Sequence, residues 1–144
     1  MAMRWPDHHP TIEVDRICAL RAWFEENHAD ATGAWIWFWK AGSGRPSVLW
    51  SDVVDVLLCF GWIDTKIQPV DADSYVQYVT HRRLGSMWSK VNKAKLDELE
   101  SKGLMTDAGR AVVARARADG SWTLLDAAEA QVIPDDLAIA FDEH

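Results

Sequence analysis

Basic, hydroxyl and aromatic side chains are concentrated between His81 and Lys95. This fifteen-residue segment contains no acidic residue and carries five cations, Arg82, Arg83, Lys90, Lys93 and Lys95. The whole chain has a formal net charge of -7, so the remainder of the chain carries -12. A strongly basic segment in an acidic chain indicates charge placed for a partner, and here it predicts a site for an anion.

A helix start at Ser86 supports this prediction. We expect the Ser86 hydroxyl to cap a helix by accepting a hydrogen bond from a free amide of the first turn. That turn lacks the acidic residues that usually occur there, and Arg82 and Arg83 precede it. The free backbone amides, the positive end of the helix dipole and the two guanidinium groups would together suit an anion such as phosphate, sulfate or carboxylate. The residues predicted to line the site are Asp64, His81, Arg82, Arg83, Ser86, Trp88, Ser89 and Asn92.

Four of these residues, Arg82, Arg83, Trp88 and Asn92, also have a structural explanation. The two arginines could pair with acids elsewhere in the chain, and Trp88 could belong to the core. Asn92 could satisfy nearby backbone groups, whereas Trp62 or Trp88 could stack on a ring of a ligand. The anion site and these structural roles are therefore alternatives at this stage.

An enzyme and a protein-interaction module are the competing functions. Cys59, Asp64, His81, Ser86 and Ser89 include a nucleophile and bases, but a nucleophile needs a base within hydrogen-bond reach. The sequence shows no nucleophile elbow, no metal-ligand spacing and no phosphate-binding glycine loop. We expect no cofactor and no metal, and the catalytic alternative ranks below binding.

A protein-interaction module would use a tryptophan-rich strand or the third helix as the surface for its partner. The protein itself would be a monomer or a homodimer.

Hydrophobic periodicity predicts the elements that position these residues. Helices are expected from Asp15 to His28, Val48 to Phe60, Ser86 to Lys102, Thr106 to Ala118, and from Pro134 onward. Asp15 and Thr106 are the expected N-caps of the first and fourth helices, and Gly61, Gly103 and Gly120 are expected to end the second, third and fourth. Strands are expected near Ile12, Trp35, Trp62 and Tyr75, the last two as an antiparallel hairpin that brings Asp64 close to His81 and Arg82. In the strand from Trp62, simple alternation puts Asp64 and Lys66 on one face. These elements predict an α+β domain: a small, mainly antiparallel sheet packed with helices, with a helical carboxy-terminal third.

Composition bounds the class of protein. The chain has 144 residues, 49% hydrophobic and 26% charged, as expected for one globular domain after a flexible lead at residues 1–10. Nine tryptophans predict an aromatic core, an aromatic cleft, or both. The two cysteines, Cys18 and Cys59, are expected to be buried free thiols. No segment is apolar enough to span a bilayer and no export signal is visible, which predicts a cytoplasmic protein. The excess of acidic residues argues against broad nucleic-acid binding.

Several stretches resemble the YdeI/OmpD-associated (bacteriocin-protection) family. They are residues 59–64 (Cys-Phe-Gly-Trp-Ile-Asp), Arg82-Arg83, residues 86–92 and residues 103–109. The chain departs from the family at Val79-Thr80-His81-Arg82, where a Phe-Thr-Pro-Arg run is usual. The family also usually continues past its Pro-Asp-Asp-Leu segment into further helices, which we do not expect after His144. The resemblance implies a small bacterial cytoplasmic protein linked to stress and to resistance against bacteriocins or cationic peptides. It transfers no catalytic residue.

Overall fold

The computed structural model describes residues 9–83, 85, 86 and 88–123. The elements in chain order are β1 (Thr11–Ile12), α1 (Ile17–Asn27), β2 (Gly33–Trp39), α2 (Trp50–Phe60), β3 (Trp62–Pro69), β4 (Ser74–His81), α3 (Lys90–Ser101) and α4 (Asp107–Asp119). The predicted α+β class is confirmed. None of the helices in these ranges is long and apolar enough to cross a membrane. Residues 1–8 of the lead predicted at residues 1–10, and the helix predicted from Pro134, lie outside the described residues.

β2 is an interior strand of a four-stranded sheet with the order β1-β2-β4-β3. The short β1 runs parallel to β2, and the other two pairs are antiparallel. Trp35 and Ile36 point to opposite faces of β2, and both are fully buried. This part of β2 is therefore covered on both faces, and the predicted hairpin of β3 and β4 is confirmed.

A β-bulge in β3 overturns the predicted side-chain alternation. Asp64 pairs with Val79, whereas Lys66 pairs with Tyr78, so Thr65 is an extra residue in the strand. Asp64 consequently lies on the same face of the sheet as Val79, which packs in the main core. Lys66 lies on the opposite face, with its ammonium 5.7 Å from the ring centroid of Tyr78. The prediction was wrong because a bulge reverses the alternation of every residue that follows it.

The core between the sheet and the helices is aromatic, as the composition predicts. Phe24 of α1 stacks on Phe60 of α2 at 5.6 Å and meets Trp62 of β3 edge-on at 5.0 Å, both measured between ring centroids. All three side chains are almost completely buried. Such contacts favour one arrangement of the rings and hold the start of β3 against α1 and α2.

α2 and α4 meet at very close range. Gly61 ends α2 in the left-handed conformation with φ of 76°, as predicted from its place after the apolar stripe. The Cys59 carbonyl oxygen then accepts hydrogen bonds from the Thr106 hydroxyl at 2.5 Å and from the Thr106 amide at 3.2 Å. Thr106 also caps α4 by accepting from the Gly109 amide at 3.2 Å, as the sequence predicts.

Three local predictions were wrong. Cys18 is exposed, although Cys59 is buried and both are free thiols. The buried positions of α1 are Leu20 and Phe24, and Cys18 lies off that stripe. The N-cap of α1 is Arg16, with no side-chain hydrogen bond, and not Asp15, which instead forms an ion pair with Arg16. The helix predicted from Ser86 begins at Lys90, because Ser89 provides its cap.

Candidate functional site

Arg82 lies at the centre of the region where the anion site was predicted. It follows β4 directly, and its backbone amide donates to the Gly61 carbonyl at 2.9 Å. Its guanidinium carbon lies 3.7 Å from the ring centroid of Trp88, and a guanidinium nitrogen donates to the Ser86 hydroxyl at 3.1 Å. The residue is only 5% exposed. Arg82 therefore holds the segment after β4 to Trp88, and an external ligand has little access to it.

Burial also changes the electrostatics of Arg82. It lowers the pKa of the guanidinium to about 10, and the negative charge of Asp64 acts in the opposite direction. The group still carries its proton at neutral pH. A charge held in a low-dielectric environment depends on such neighbours, since desolvation disfavours the ionised form. Asp64 thus acts on Arg82, as the hairpin geometry predicts.

Ser86, Ser89 and Asn92 form the connection from Arg82 into α3. The Ser86 amide donates to the Arg83 carbonyl at 3.2 Å, and Gly85 turns the chain with φ of 81°. The Ser89 hydroxyl then accepts from the Asn92 amide at 3.2 Å and caps α3. Because the Ser86 hydroxyl is used by Arg82, the free amides of the helix start lie one turn further along than predicted.

Asp64 and His81 lie on the same hairpin but make separate contacts. Asp64 accepts a hydrogen bond from the Gln77 side-chain amide at 3.3 Å. A His81 ring nitrogen lies 2.9 Å from the Ala31 carbonyl oxygen, and the ring lies 4.5 Å from that of Trp62. His81 directly precedes Arg82, and Asp64 is close enough for its charge to act on Arg82. No hydrogen bond or ion pair joins Asp64 to His81 in the part of the chain that the structure describes.

Trp88, which lies just before α3, contacts Trp122, which lies just after α4, and a group of cations lies beside this pair. Their ring centroids lie 5.2 Å apart. Lys93 places its ammonium 5.0 Å from the Trp122 ring centroid, and the Arg117 guanidinium carbon lies 4.7 Å from it. Arg83 and Arg115 line one small cavity together with Trp88. We call the four cations around this pair the basic surface: Arg83, Lys93, Arg115 and Arg117.

The cavity beside the basic surface is too small for a metabolite. Its volume is about 10 Å³, which is the space needed for one water molecule. Asp119 also lines it, and hydrogen bonds from Ser121 are the main cause that lowers the pKa of this carboxyl, with a smaller effect from Arg115. An anion that uses these cations would therefore bind at the surface and would compete with one carboxylate.

The family comparison covers most of this fold. A family model described as Domain of unknown function (DUF8412) matches residues 12–112. The chain belongs to this family. No curated protein and no solved structure matches it. The match to DUF8412 has no bearing on the YdeI/OmpD-associated resemblance, which stays a prediction.

The DUF8412 match contains all eight residues predicted for the anion site, but only part of the basic surface. Arg115, Arg117 and Trp122 follow the matched region. Sequence reasoning missed Arg115 and Arg117 because it considered only the buried positions of α4. Trp122, which follows this helix closely in sequence, was a usable signal, since an aromatic ring beside exposed cations favours cation–π contact.

The catalytic alternative receives no support from the state of Cys59. Burial is the main cause that raises the pKa of this thiol, and a hydrogen bond from Arg21 opposes the shift less strongly. A buried thiol with a raised pKa is a poor nucleophile, because the thiolate is the reactive form. Among the described residues there is also no group of His, Cys, Asp and Glu side chains that could hold a metal ion.

Proposed function

We propose that this DUF8412 protein is a binding module for a partner that carries phosphate or carboxylate groups. The observation that carries the proposal is the basic surface, in which four cations from α3, α4 and the segment after β4 surround one pair of tryptophan rings. Three of them, Arg83, Arg115 and Arg117, form no salt bridge with an acidic residue in the part of the chain that the structure describes. In a chain of charge -7, such cations favour an external anion.

This proposal assigns different roles to the residues predicted from the sequence. Arg82, Ser86 and Trp88 form the rigid support, because they are tied to one another by the stacking contact and the hydrogen bond described above. Arg83 is the arginine of the predicted pair that can reach a ligand. Ser89 and Asn92 place the start of α3 so that Lys93 lies over Trp122. The ligand groups are those predicted from the sequence, now bound at a surface instead of in a pocket.

Titration of the full chain with anionic probes tests the proposal. Inorganic phosphate, tripolyphosphate and citrate are each added at low ionic strength, with calorimetry and tryptophan fluorescence as readouts. We expect tripolyphosphate to bind most tightly, since it contacts several cations at once, and added salt to weaken binding. The triple variant Arg83→Gln/Arg115→Gln/Arg117→Gln should bind about tenfold more weakly, because three exposed charge contacts of about 0.5 kcal/mol each are lost.

A control in the same helix separates local from overall charge. Arg110→Gln removes one positive charge from α4, but Arg110 is already paired with Glu100 at 2.8 Å. Its affinity for tripolyphosphate should match that of the unmodified chain. Equal affinity of the triple variant and the unmodified chain, or no binding of any of the three probes, would show that the basic surface is not an anion site.

The resemblance to the YdeI/OmpD-associated family supplies the biological part of the proposal. It implies a bacterial role in resistance to bacteriocins or cationic peptides, and an anion-binding module is compatible with that role. Growth of a deletion strain in the presence of a cationic peptide tests it. Sensitivity that is restored by the unmodified gene, but not by the triple variant, is the expected result, whereas a deletion strain of normal resistance contradicts the role.

A further inference from the structure

A second cleft lies between the start of α1 and the loop after β2, and none of its lining residues belongs to the basic surface. Its volume is about 390 Å³, at the lower end of the range of small-molecule sites, about 300–1,000 Å³. One wall is Trp39, the last residue of β2, and the others include Glu13, Val14, Ala19, Arg45 and Pro46. None of these residues belongs to the predicted anion site.

Trp39 holds two opposite charges in place. Its indole nitrogen donates to a carboxylate oxygen of Glu13 at 3.1 Å, and the guanidinium carbon of Arg45 lies 4.4 Å from its ring centroid. The edge of one ring therefore positions an anion and its face positions a cation. Trp39 is itself held, because its backbone amide donates to the Ser47 hydroxyl at 3.0 Å and its ring lies 5.6 Å from that of Trp37.

These two charges do not neutralise each other. No salt bridge joins Glu13 to Arg45, and neither of them forms one with any other described residue. Asp15, the other carboxylate of the cleft, is paired with Arg16 at 3.2 Å. Glu13 and Arg45 thus present one negative and one positive group to the same space, and each contacts a different part of the Trp39 indole.

We propose that this cleft binds a zwitterionic α-amino acid with an apolar side chain. The ammonium group of the ligand would pair with Glu13 and its carboxylate with Arg45, which offers two parallel N–H donors to a carboxylate. The side chain of the ligand would contact Val14, Ala19 and Pro46. A ligand with only one charge would leave either Glu13 or Arg45 without its counterion, so the arrangement discriminates against simple amines and simple acids.

The test uses L-leucine and two analogues that each lack one charge. L-leucinamide has no carboxylate and N-acetyl-L-leucine has no ammonium, while both keep the side chain. Binding to the full chain is followed by calorimetry and by the NMR signal of the Trp39 indole N–H, which Trp39→Phe identifies. We expect L-leucine to shift this signal at millimolar concentration and both analogues to bind about tenfold more weakly or worse.

Charge-removing variants identify the protein groups. Glu13→Gln should weaken L-leucine binding by about tenfold, and Arg45→Gln should do the same, whereas Glu26→Gln and Lys40→Gln remove like charges outside the cleft and should leave binding unchanged. Three results would overturn the proposal: L-leucine, L-methionine and L-phenylalanine all fail to shift the signal, leucinamide binds as tightly as leucine, or the two cleft variants bind as the controls do.

Discussion

Arg82 illustrates how the surroundings of a single residue decide what its charge does. Its sequence context, beside Arg83 and before two serines, indicates a ligand site. In the structure its guanidinium is covered by Trp88 and bonded to Ser86, and its neighbour Arg83 is exposed. Nothing in the order of residues distinguishes the two arginines, because the difference depends on which of them follows β4 toward the core. The same type of side chain thus stabilises the fold at position 82 and is exposed to solvent at position 83.

Replacement of these two arginines tests the difference at the residue scale. Arg82→Ala should lower the free energy of unfolding by about 3 kcal/mol, because a desolvated cation–π contact and a buried hydrogen bond are lost. Arg83→Ala should change it by about 0.5 kcal/mol or less, as is usual for exposed positions. Urea unfolding at pH 7 measures both. Equal effects of the two substitutions would contradict the structural role of Arg82.

At the scale of elements, the sequence predicted well which helices and strands exist, but it predicted irregularities within a strand and the order of the strands poorly. The ends of three helices were placed correctly at Gly61, Gly103 and Gly120, because all three glycines adopt a positive φ that other residues avoid. The bulge at Thr65 was missed, since a bulge needs no special residue and depends on the partner strand. The order of the strands was left open, because it is decided by contacts between residues far apart in sequence.

The two serines before α3 show that tertiary contacts in the candidate site also could not be predicted from residue types. Ser86 and Ser89 are equally good caps by residue type. Only the tertiary contact of Ser86 with Arg82 decides that Ser89 takes this role. The basic segment itself was visible in the sequence, but its complement on α4 was not, since the contact between Trp88, which precedes α3, and Trp122, which follows α4, is a property of the folded chain.

The contact of α2 with α4 gives a prediction for these elements. Gly109 lies within α4, where alanine normally stabilises a helix by about 1 kcal/mol relative to glycine. Here a Cβ atom at position 109 would collide with the carbonyl group of Cys59, which belongs to rigid backbone. Gly109→Ala should therefore lower the free energy of unfolding by about 2 kcal/mol, since α4 has to move away from α2.

Gly42→Ala is the matched control for this substitution. The same methyl group at residue 42 would have no neighbour within 4 Å. Its effect on urea unfolding should be within about 0.5 kcal/mol of zero. A Gly109→Ala protein as stable as the Gly42→Ala protein would mean that the two helices are not in such close contact.

For the whole molecule, the two proposed sites differ in charge, since one gathers cations and the other combines an anion with a cation. The basic surface lies where α3 and α4 meet, and the cleft at Trp39 lies beside β1 and the start of α1. The cleft and most of the sheet are inside the DUF8412 match, whereas two of the four cations of the basic surface follow it. The two proposals are therefore independent, and the loss of either would leave the other intact.

The acidic character of the chain leads to a prediction about its response to pH. Hydrogen bonds from Asp73 and Ser74 lower the pKa of Asp71, and hydrogen bonds from Arg110 lower the pKa of Glu100. A carboxyl group whose pKa is lower in the folded than in the unfolded state stabilises the fold above its unfolded pKa of about 4. That contribution is lost as the pH falls through the folded-state value, because the unfolded chain then binds more protons.

The free energy of unfolding should therefore fall steadily from about pH 5 toward pH 2. Glu100→Gln should lower the free energy of unfolding at pH 7 and make it depend less on pH. The physical reason is that Glu100 pairs with Arg110 through both carboxylate oxygens, at 2.9 and 2.8 Å, only when it is ionised. Glu26→Gln is the control, since Glu26 is exposed and forms no salt bridge with a described residue. Urea midpoints measured across this pH range for the three proteins give the answer. If Glu100→Gln follows the same curve as Glu26→Gln, the pair with Arg110 is not a source of the pH dependence, and repulsion among the cations that remain at low pH would account for it instead.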